Sequence, residues 1–281
     1  NLETIYADRI GIRYYDEAKG GVVEVPFRQY AADLRRFVAF LRSRTPNPLG
    51  QRVAILARNS YHYVMCMYGA VLAGAVAVPL NTGKNWDEIR YELDLVEPVC
   101  VLQDGEYLQW EPALADAYSA KLEPMDAFTA FEPAMEITEV PDLSALAFIM
   151  FTSGTTGRSK GVMLSEKNYF TACQMYIDGL KSVLDHEERL VPQYLDQTFS
   201  HFTLVPMFHL AGFICYFVYG VQGWTLNLCC DARDLRRDMS LMHSDAMSTP
   251  PVLVEMICNE VKRGHACLLY TSPSPRDMRR S

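Results

Sequence analysis

Residues 151–161 combine hydroxyl side chains and glycines with a lysine near the end, and they include no carboxylate. Glycines allow consecutive backbone N–H groups to turn inward, where they form a concave anion site. Hydroxyl groups add neutral donors, and a lysine adds a mobile positive charge. These residue types suit a loop that wraps a polyanion. The candidate ligands of the polyanion are Thr152, Ser153, Gly154, Thr155, Thr156, Gly157 and Lys160.

Three other interpretations compete for this segment. An ordinary surface turn is the simplest, but the closing Lys160 and the apolar flanks favour an anion site. A P-loop requires G-x-x-x-x-G-K-[ST] before a helix, whereas Gly154, Gly157 and Lys160 have another spacing and lead into a strand pattern. A hydrolase nucleophile elbow requires a glycine two residues before the serine, and Phe151 occupies that position before Ser153.

Two apolar segments are predicted to position this loop. Residues 145–150 have the pattern of a buried strand, and residues 161–164 have the pattern of a second strand. Ser165 is a candidate N-cap for a helix that continues to about Ser182. A rigid strand–loop–strand unit followed by a helix is therefore expected.

The loop resembles the signature phosphate loop of the adenylate-forming superfamily, which includes acyl-CoA synthetases, luciferases and peptide-synthetase adenylation domains. One position departs from that pattern, because Ser159 stands where a proline usually precedes the lysine. The resemblance implies that residues 152–160 hold the β- and γ-phosphates of ATP, with Mg²⁺ bridging them near Thr152. Since Ser159 carries no charge, the site is expected to survive this departure.

A second candidate site surrounds His209. A single histidine beside aromatic residues is more often a packing residue than a functional one. Pro206 and Gly212, however, predict a break between a strand and a helix, where side chains can face a cleft. The segment also resembles the superfamily's second motif, whose histidine lines the carboxylic-acid site. That resemblance assigns Phe208, His209 and Gly212 to the acid substrate.

Helix and strand patterns alternate in the first half of the chain. Helices are predicted at residues 27–42, 61–73 and 86–96, and strands at 52–56, 75–78 and 99–102. This alternation indicates an α/β fold with an open, largely parallel sheet. The superfamily resemblance implies two stacked α/β subdomains with mixed, mostly parallel sheets, in an incomplete N-terminal domain.

Three segments follow from this organisation. Residues 1–140 are expected to form the first subdomain with a connector, and residues 141–265 the second subdomain with the loop. Residues 266–281 are expected to be a disordered, non-native tail, with a native disordered tail as the alternative. Asn1 is not an initiator methionine, so we expect the true start to be missing.

Composition narrows the class of protein. A net charge of −8 without a basic block argues against nucleic acid as the main partner. The eight cysteines show no C-x-x-C spacing, which favours reduced, mostly buried thiols in a cytoplasmic protein. Two long uncharged runs, at residues 63–80 and 203–230, are interrupted by glycines, so they indicate core elements, with no transmembrane segment. The sequence leaves open whether the protein contacts a membrane peripherally.

The resemblance implies a function for the full-length protein. A carboxylic acid, fatty or aromatic, would be activated by ATP to an acyl-adenylate, and coenzyme A would then take the acyl group as a thioester. The superfamily's Tyr-Gly-x-Thr-Glu motif is absent here, because neither Tyr68-Gly69 nor Tyr219-Gly220 is followed by Thr-Glu. We therefore expect residues 1–281 alone to be an inactive fragment, without the domain that carries the superfamily's catalytic lysine.

Two further hypotheses remain. An adenylation module could load a carrier-protein thiol, or a nucleotide-binding protein could act without turnover. An amino-acid substrate would need a carboxylate partner for its ammonium group. No aspartate occurs between Asp196 and Asp231, which weakens the first of these two hypotheses.

Overall fold

The structure, a computed structural model, describes residues 4–105, 112–137, 143–152, 158–186 and 199–248, with isolated positions between 251 and 262. The described residues up to Met247 form one compact unit. The strands are β1 (Ile10–Asp16), β2 (Gly21–Pro26), β3 (Arg52–Leu56), β4 (Val76–Pro79), β5 (Cys100–Gln103), β6 (Leu122–Pro124), β7 (Leu146–Thr152), β8 (Lys160–Ser165), β9 (Ser200–Thr203), β10 (Thr225–Leu228) and β11 (Ala246–Ser248). The α-helices are α1 (Phe27–Arg44), α2 (Tyr61–Leu72), α3 (Trp86–Val96), α4 (Pro112–Tyr118), α5 (Glu166–His186), α6 (Leu210–Gln222) and α7 (Leu235–Met242).

One sheet has the order β6-β5-β3-β4-β7-β8. Its neighbouring strands run parallel except for β7 and β8, which pair antiparallel across the predicted loop. The predicted alternation of helix and strand between residues 27 and 103 is confirmed, with no boundary shifted by more than two residues. The expectation of mixed, mostly parallel sheets is also confirmed.

Both faces of the central strands of this sheet are buried. Successive residues of a strand point to opposite faces, and β3 shows this directly: Val53 and Ile55 join one hydrophobic cluster, while Ala54 and Leu56 join another. Residues of α2 belong to the first cluster and residues of α3 to the second. A strand covered on both faces is apolar throughout, which explains the continuous apolar runs in the sequence.

The second sheet has the order β11-β9-β10-β1-β2. Its strand β10 lies between β1 and β9 and runs parallel to both, with Ile12 opposite Leu226. Both sheets therefore combine strands from before and after residue 140. The division of the chain at residues 140 and 265 stays a prediction, and the tail at 266–281 lies outside the described residues.

The two long uncharged runs are interior elements. The first forms α2 and β4, separated by Gly74 with a φ of +80°, a left-handed conformation that suits glycine at the end of a helix. The second forms α6 and β10. Among the described residues, none of the helices is long and apolar enough to cross a bilayer.

Most described cysteines are buried free thiols, as predicted. Five are buried, Cys230 is half-buried and Cys258 is exposed. Burial raises the pKa of the Cys173 thiol to about 11 and that of Cys100 to about 12. These two thiols therefore stay protonated at neutral pH and are poor nucleophiles.

The buried His201 makes stability depend on pH. Its ring stacks on Tyr219, with 3.9 Å between the ring centroids, and burial lowers its pKa from 6.5 to about 4. Between these pH values the unfolded state binds more protons than the folded state, so acidification favours unfolding. This histidine should remove up to about 3 kcal/mol of stability as the pH falls from 6.5 to 4.

The variant His201→Phe keeps a stacked ring and lacks the titrating group. We expect its free energy of unfolding, measured by urea denaturation, to fall less than that of the wild type between pH 7 and pH 4. Parallel curves for the two proteins would show that His201 does not titrate in this range.

Candidate functional site

The ends of the predicted phosphate loop meet where β7 and β8 pair. Thr152 lies opposite Lys160 in the antiparallel register, and the Thr152 hydroxyl donates to the Lys160 carbonyl oxygen at 3.5 Å. Both residues are exposed. Ser153, Gly154, Thr155, Thr156 and Gly157 lie outside the described residues. A residue with a hydroxyl group and a residue with an ammonium group thus face each other across the base of the loop.

The elements flanking the loop form as predicted. Residues 147–150 of β7 are buried, which anchors the strand that leads into the loop. After β8, the backbone N–H of Asn168 donates to the Ser165 hydroxyl at 3.2 Å, and the Ser165 N–H donates to the Asn168 side chain at 3.1 Å. Ser165 is therefore the N-cap of α5, as its position in the sequence indicates.

The base of the loop, at Thr152 and Lys160, lies at the carboxyl edge of the parallel strands. Strands β3, β4 and β7 are parallel neighbours, so the residues that follow each of them share one edge of the sheet. Asn59 follows β3, Lys84 follows β4, and the loop follows β7. Crevices at this edge are where open α/β sheets bind their ligands.

The second candidate site forms at the start of α6. His209 is the exposed N-cap residue of that helix, and its ring centroid lies 4.6 Å from that of Phe208. Gly212 is buried in the first turn. A Cβ built on Gly212 would lie 2.4 Å from the Pro206 carbonyl oxygen, so only glycine allows the chain to fold back here.

Asn59 connects this second site to the sheet edge. Its side-chain amide donates to the Val205 carbonyl oxygen at 3.0 Å and accepts from the Met207 N–H at 3.0 Å. Two hydrogen bonds from one side chain fix the segment just before His209. The sequence analysis assigned no role to Asn59, although its position after a predicted parallel strand is a usable signal.

Lys84 and Glu92 are two further residues beside the loop to which the sequence analysis assigned no role. The Lys84 ammonium forms an ion pair with the buried Glu92 and donates to the Ser159 hydroxyl at 2.9 Å. No local pattern marks Lys84, because Glu92 lies eight residues later in the next helix and Ser159 is 75 residues away, and only the fold brings the three together.

An apolar cavity of about 550 Å³ lies elsewhere in the molecule, between α1, α2, α5 and α6. Aromatic side chains line much of it, including Tyr30, Tyr68, Phe148, Tyr169 and Phe217. None of the predicted ATP or acid residues that the structure describes lines this cavity. It is therefore separate from the two candidate sites.

Comparison with known proteins assigns the family. A family model described as AMP-binding enzyme matches residues 7–275. The chain belongs to the AMP-binding enzyme family. The predicted membership of the adenylate-forming superfamily is thus confirmed at the level of the family. The roles of the individual site residues stay predictions.

Curated relatives of this family member are CoA ligases. A 3-[(3aS,4S,7aS)-7a-methyl-1,5-dioxo-octahydro-1H-inden-4-yl]propanoyl:CoA ligase of Rhodococcus jostii is 25% identical over 260 residues, which is 82% of this chain and 47% of the relative. A long-chain-fatty-acid–CoA ligase of Mycobacterium tuberculosis is 30% identical over 193 residues, 63% of this chain and 34% of the relative. The chain thus spans less than half the length of either relative.

Solved structures share the fold. The O-succinylbenzoate coenzyme A synthetase of Bacillus subtilis, in complex with AMP, superposes with a TM-score of 0.72 and 22% identity. The match covers 92% of this family member and 62% of the synthetase. At this level of identity the comparison establishes the common architecture of the N-terminal domain.

Gly212 offers a direct test of the geometry around His209. The variant Gly212→Ala should destabilise the fold by about 1–3 kcal/mol, because its Cβ would overlap a backbone oxygen that cannot move aside easily. The measurement is the urea-unfolding midpoint. Gly220→Ala in the same helix is the matched control, since nothing lies within 4 Å of its Cβ, and it should be neutral or stabilising. Equal effects of the two variants would contradict the close approach.

Proposed function

We propose that the full-length protein activates a carboxylic acid with ATP and transfers the acyl group from the adenylate to coenzyme A. The observation that carries this proposal is the loop base, where Thr152 and Lys160 stand together at the carboxyl edge of the sheet in a member of the AMP-binding enzyme family. The names of the curated relatives support coenzyme A as the acceptor.

In the first half-reaction a carboxylate oxygen attacks the α-phosphorus of ATP and pyrophosphate leaves. Because an anion attacks a polyanion, the protein must position the reactants and offset negative charge, and it needs no nucleophile of its own. We assign Lys160 and the loop residues 152–157 to the β- and γ-phosphates. ATP arrives as its magnesium complex, and the exposed hydroxyl of Thr152 can offer that ion one hard oxygen ligand.

In the second half-reaction a thiolate attacks the acyl carbonyl carbon and AMP leaves, which forms the thioester. Residues 1–281 contain no Tyr-Gly-x-Thr-Glu motif, and the inactivity of this segment alone stays a prediction. The assays below therefore use the full-length protein.

The acid is proposed to be fatty or aromatic. His209 and Phe208 precede α6, a helix without charged residues, so the surroundings favour an apolar substrate over one that carries an ammonium group. The fatty-acid and bicyclic-acid ligases among the relatives fit this class.

One assay separates the three functional hypotheses. ATP–pyrophosphate exchange, screened over fatty, aromatic and amino acids, reports acyl-adenylate formation. Exchange followed by thioester formation with free coenzyme A supports the ligase. Exchange with amino acids and no reaction with coenzyme A would instead indicate a carrier-loading module, and nucleotide binding without exchange would indicate a protein without turnover.

The first prediction from this proposal concerns Lys160. Lys160→Ala should reduce pyrophosphate exchange by about 10²–10³-fold, because it removes a positive charge that acts on the phosphates. Its side chain is exposed, so the variant should unfold at the same urea concentration as the wild type. The control Lys167→Ala changes an exposed lysine on α5 and should exchange normally. Unchanged exchange in Lys160→Ala would refute the assignment.

The second prediction concerns His209. His209→Ala should change kcat/KM among acids while the KM for ATP stays the same. Since this side chain is exposed, the variant should lose no more than about 0.5 kcal/mol of stability. A marked loss of stability with unchanged kinetics per folded molecule would identify His209 as a packing residue.

A further inference from the structure

A buried ion pair lies beside the phosphate loop. The Glu92 side chain has no exposed surface, and the Lys84 side chain is 12% exposed. Their ammonium and carboxylate groups are in direct contact. Such a pair rarely adds net stability, since removing both charges from water costs about as much as their attraction returns. Its presence at this position therefore suggests a role beyond stability.

Lys84 contacts both ends of the loop. Its ammonium donates to the Ser159 hydroxyl at 2.9 Å, one residue before Lys160. The same ammonium lies 5.9 Å from the centroid of the Phe151 ring, one residue before Thr152. The Lys84 ammonium thus contacts Phe151 and Ser159, the residues that immediately precede Thr152 and Lys160 of the candidate ATP site.

Helix α3 provides a rigid base for these contacts. Its first turn is closed by a reciprocal pair in which Asn85 accepts from the Glu88 N–H and Glu88 accepts from the Asn85 N–H. Its apolar side packs against the sheet through the buried residues Ile89 and Leu93. The guanidinium of Arg158 also lies over the ring of Tyr91, 5.2 Å from its centroid.

The Lys84 charge is already engaged. The Lys84 ammonium is paired with Glu92 and largely shielded from solvent, and it donates a further hydrogen bond to the Ser159 hydroxyl. These contacts fit a group that acts through the loop better than one that binds phosphate directly.

We propose that Lys84, held by Glu92, is a positioning residue that fixes the base of the phosphate loop through Ser159. This proposal rests on the proposed function for its kinetic consequence. Ser159, at which the chain departs from the superfamily's usual proline, provides the hydroxyl that the ammonium holds. Local rigidity that a proline ring would supply covalently is supplied here by a buried ion pair.

The first experiment measures the loop itself and needs no activity. Trypsin cleaves after Arg158 and Lys160, and cleavage of a folded protein reports local opening. Lys84→Met alone would leave the Glu92 carboxylate buried without its partner and could unfold the protein. The double variant Lys84→Met/Glu92→Leu removes both charges at similar volume and should fold.

We expect this double variant to be cleaved at Arg158 and Lys160 at least about fivefold faster than the wild type, with an unchanged urea midpoint. Arg90→Met is the matched control. Arg90 forms an exposed ion pair with Asp94 on the same helix, so its removal should leave cleavage at the loop unchanged. Equal cleavage of the double variant and the wild type would overturn the proposal.

The second experiment measures the consequence for the reaction. In pyrophosphate exchange the double variant should raise the KM for ATP about 10- to 100-fold while the KM for the acid stays within about twofold. Ser159→Ala should raise the KM for ATP as well. Adding it to the double variant should have no further effect, because both changes remove the same contact, the hydrogen bond between Lys84 and Ser159. Additive effects, or equal shifts in both KM values, would overturn the role of Ser159 as the point of contact.

The two experiments separate this inference from the proposed function. If the wild type shows no exchange with any acid, the ligase proposal fails, and the trypsin result still decides whether Lys84 fixes the loop. If exchange is normal and the loop of the double variant is no more accessible, the positioning role fails while the ligase proposal stands.

Discussion

The position of the phosphate loop depends on the burial of β7. This strand lies between β4, with which it runs parallel, and β8, with which it runs antiparallel. Its side chains alternate between two hydrophobic clusters, with Phe148 and Met150 in one and Ile149 in the other. Burial on both faces fixes the register, because a shift by one residue would exchange the two sets of side chains. Thr152 and Lys160 face each other only in that register.

Partly buried polar contacts then set the finer geometry around the sheet edge. Asn59 holds the segment before His209 with two hydrogen bonds, and Lys84 holds the residues at the base of the loop. Polar groups in such places are costly unless they are satisfied, so each contact favours one arrangement of its segment. The hydrophobic core determines where the loops begin, and these few polar side chains determine how the loops lie. Catalysis by positioning depends on that second level of order.

Local sequence was sufficient for much of the architecture. Helices α1, α2 and α3 and strands β3, β4, β5, β7 and β8 follow from periodicity, from apolar runs and from punctuation by glycine and proline. The candidate ATP site could also be predicted from the sequence, since the glycine- and hydroxyl-rich loop closed by Lys160 is contiguous in the chain. Ser165 begins α5 and Gly74 follows the end of α2, as their residue types indicate. All of these signals act within a few residues of the position they determine.

Tertiary structure alone decided the contacts between distant segments. The pairing of β1 with β10 joins Ile12 to Leu226, and Asn59 reaches Val205 and Met207. The ion pair of Lys84 with Glu92, and its link to Ser159, likewise depend on how α3 packs on the sheet. Hydrophobic periodicity predicts which face of a helix or strand is buried, but it does not indicate which other helix or strand covers that face. The partners are selected by the packing of the whole core, and so the residues that position the site became visible only in the folded chain.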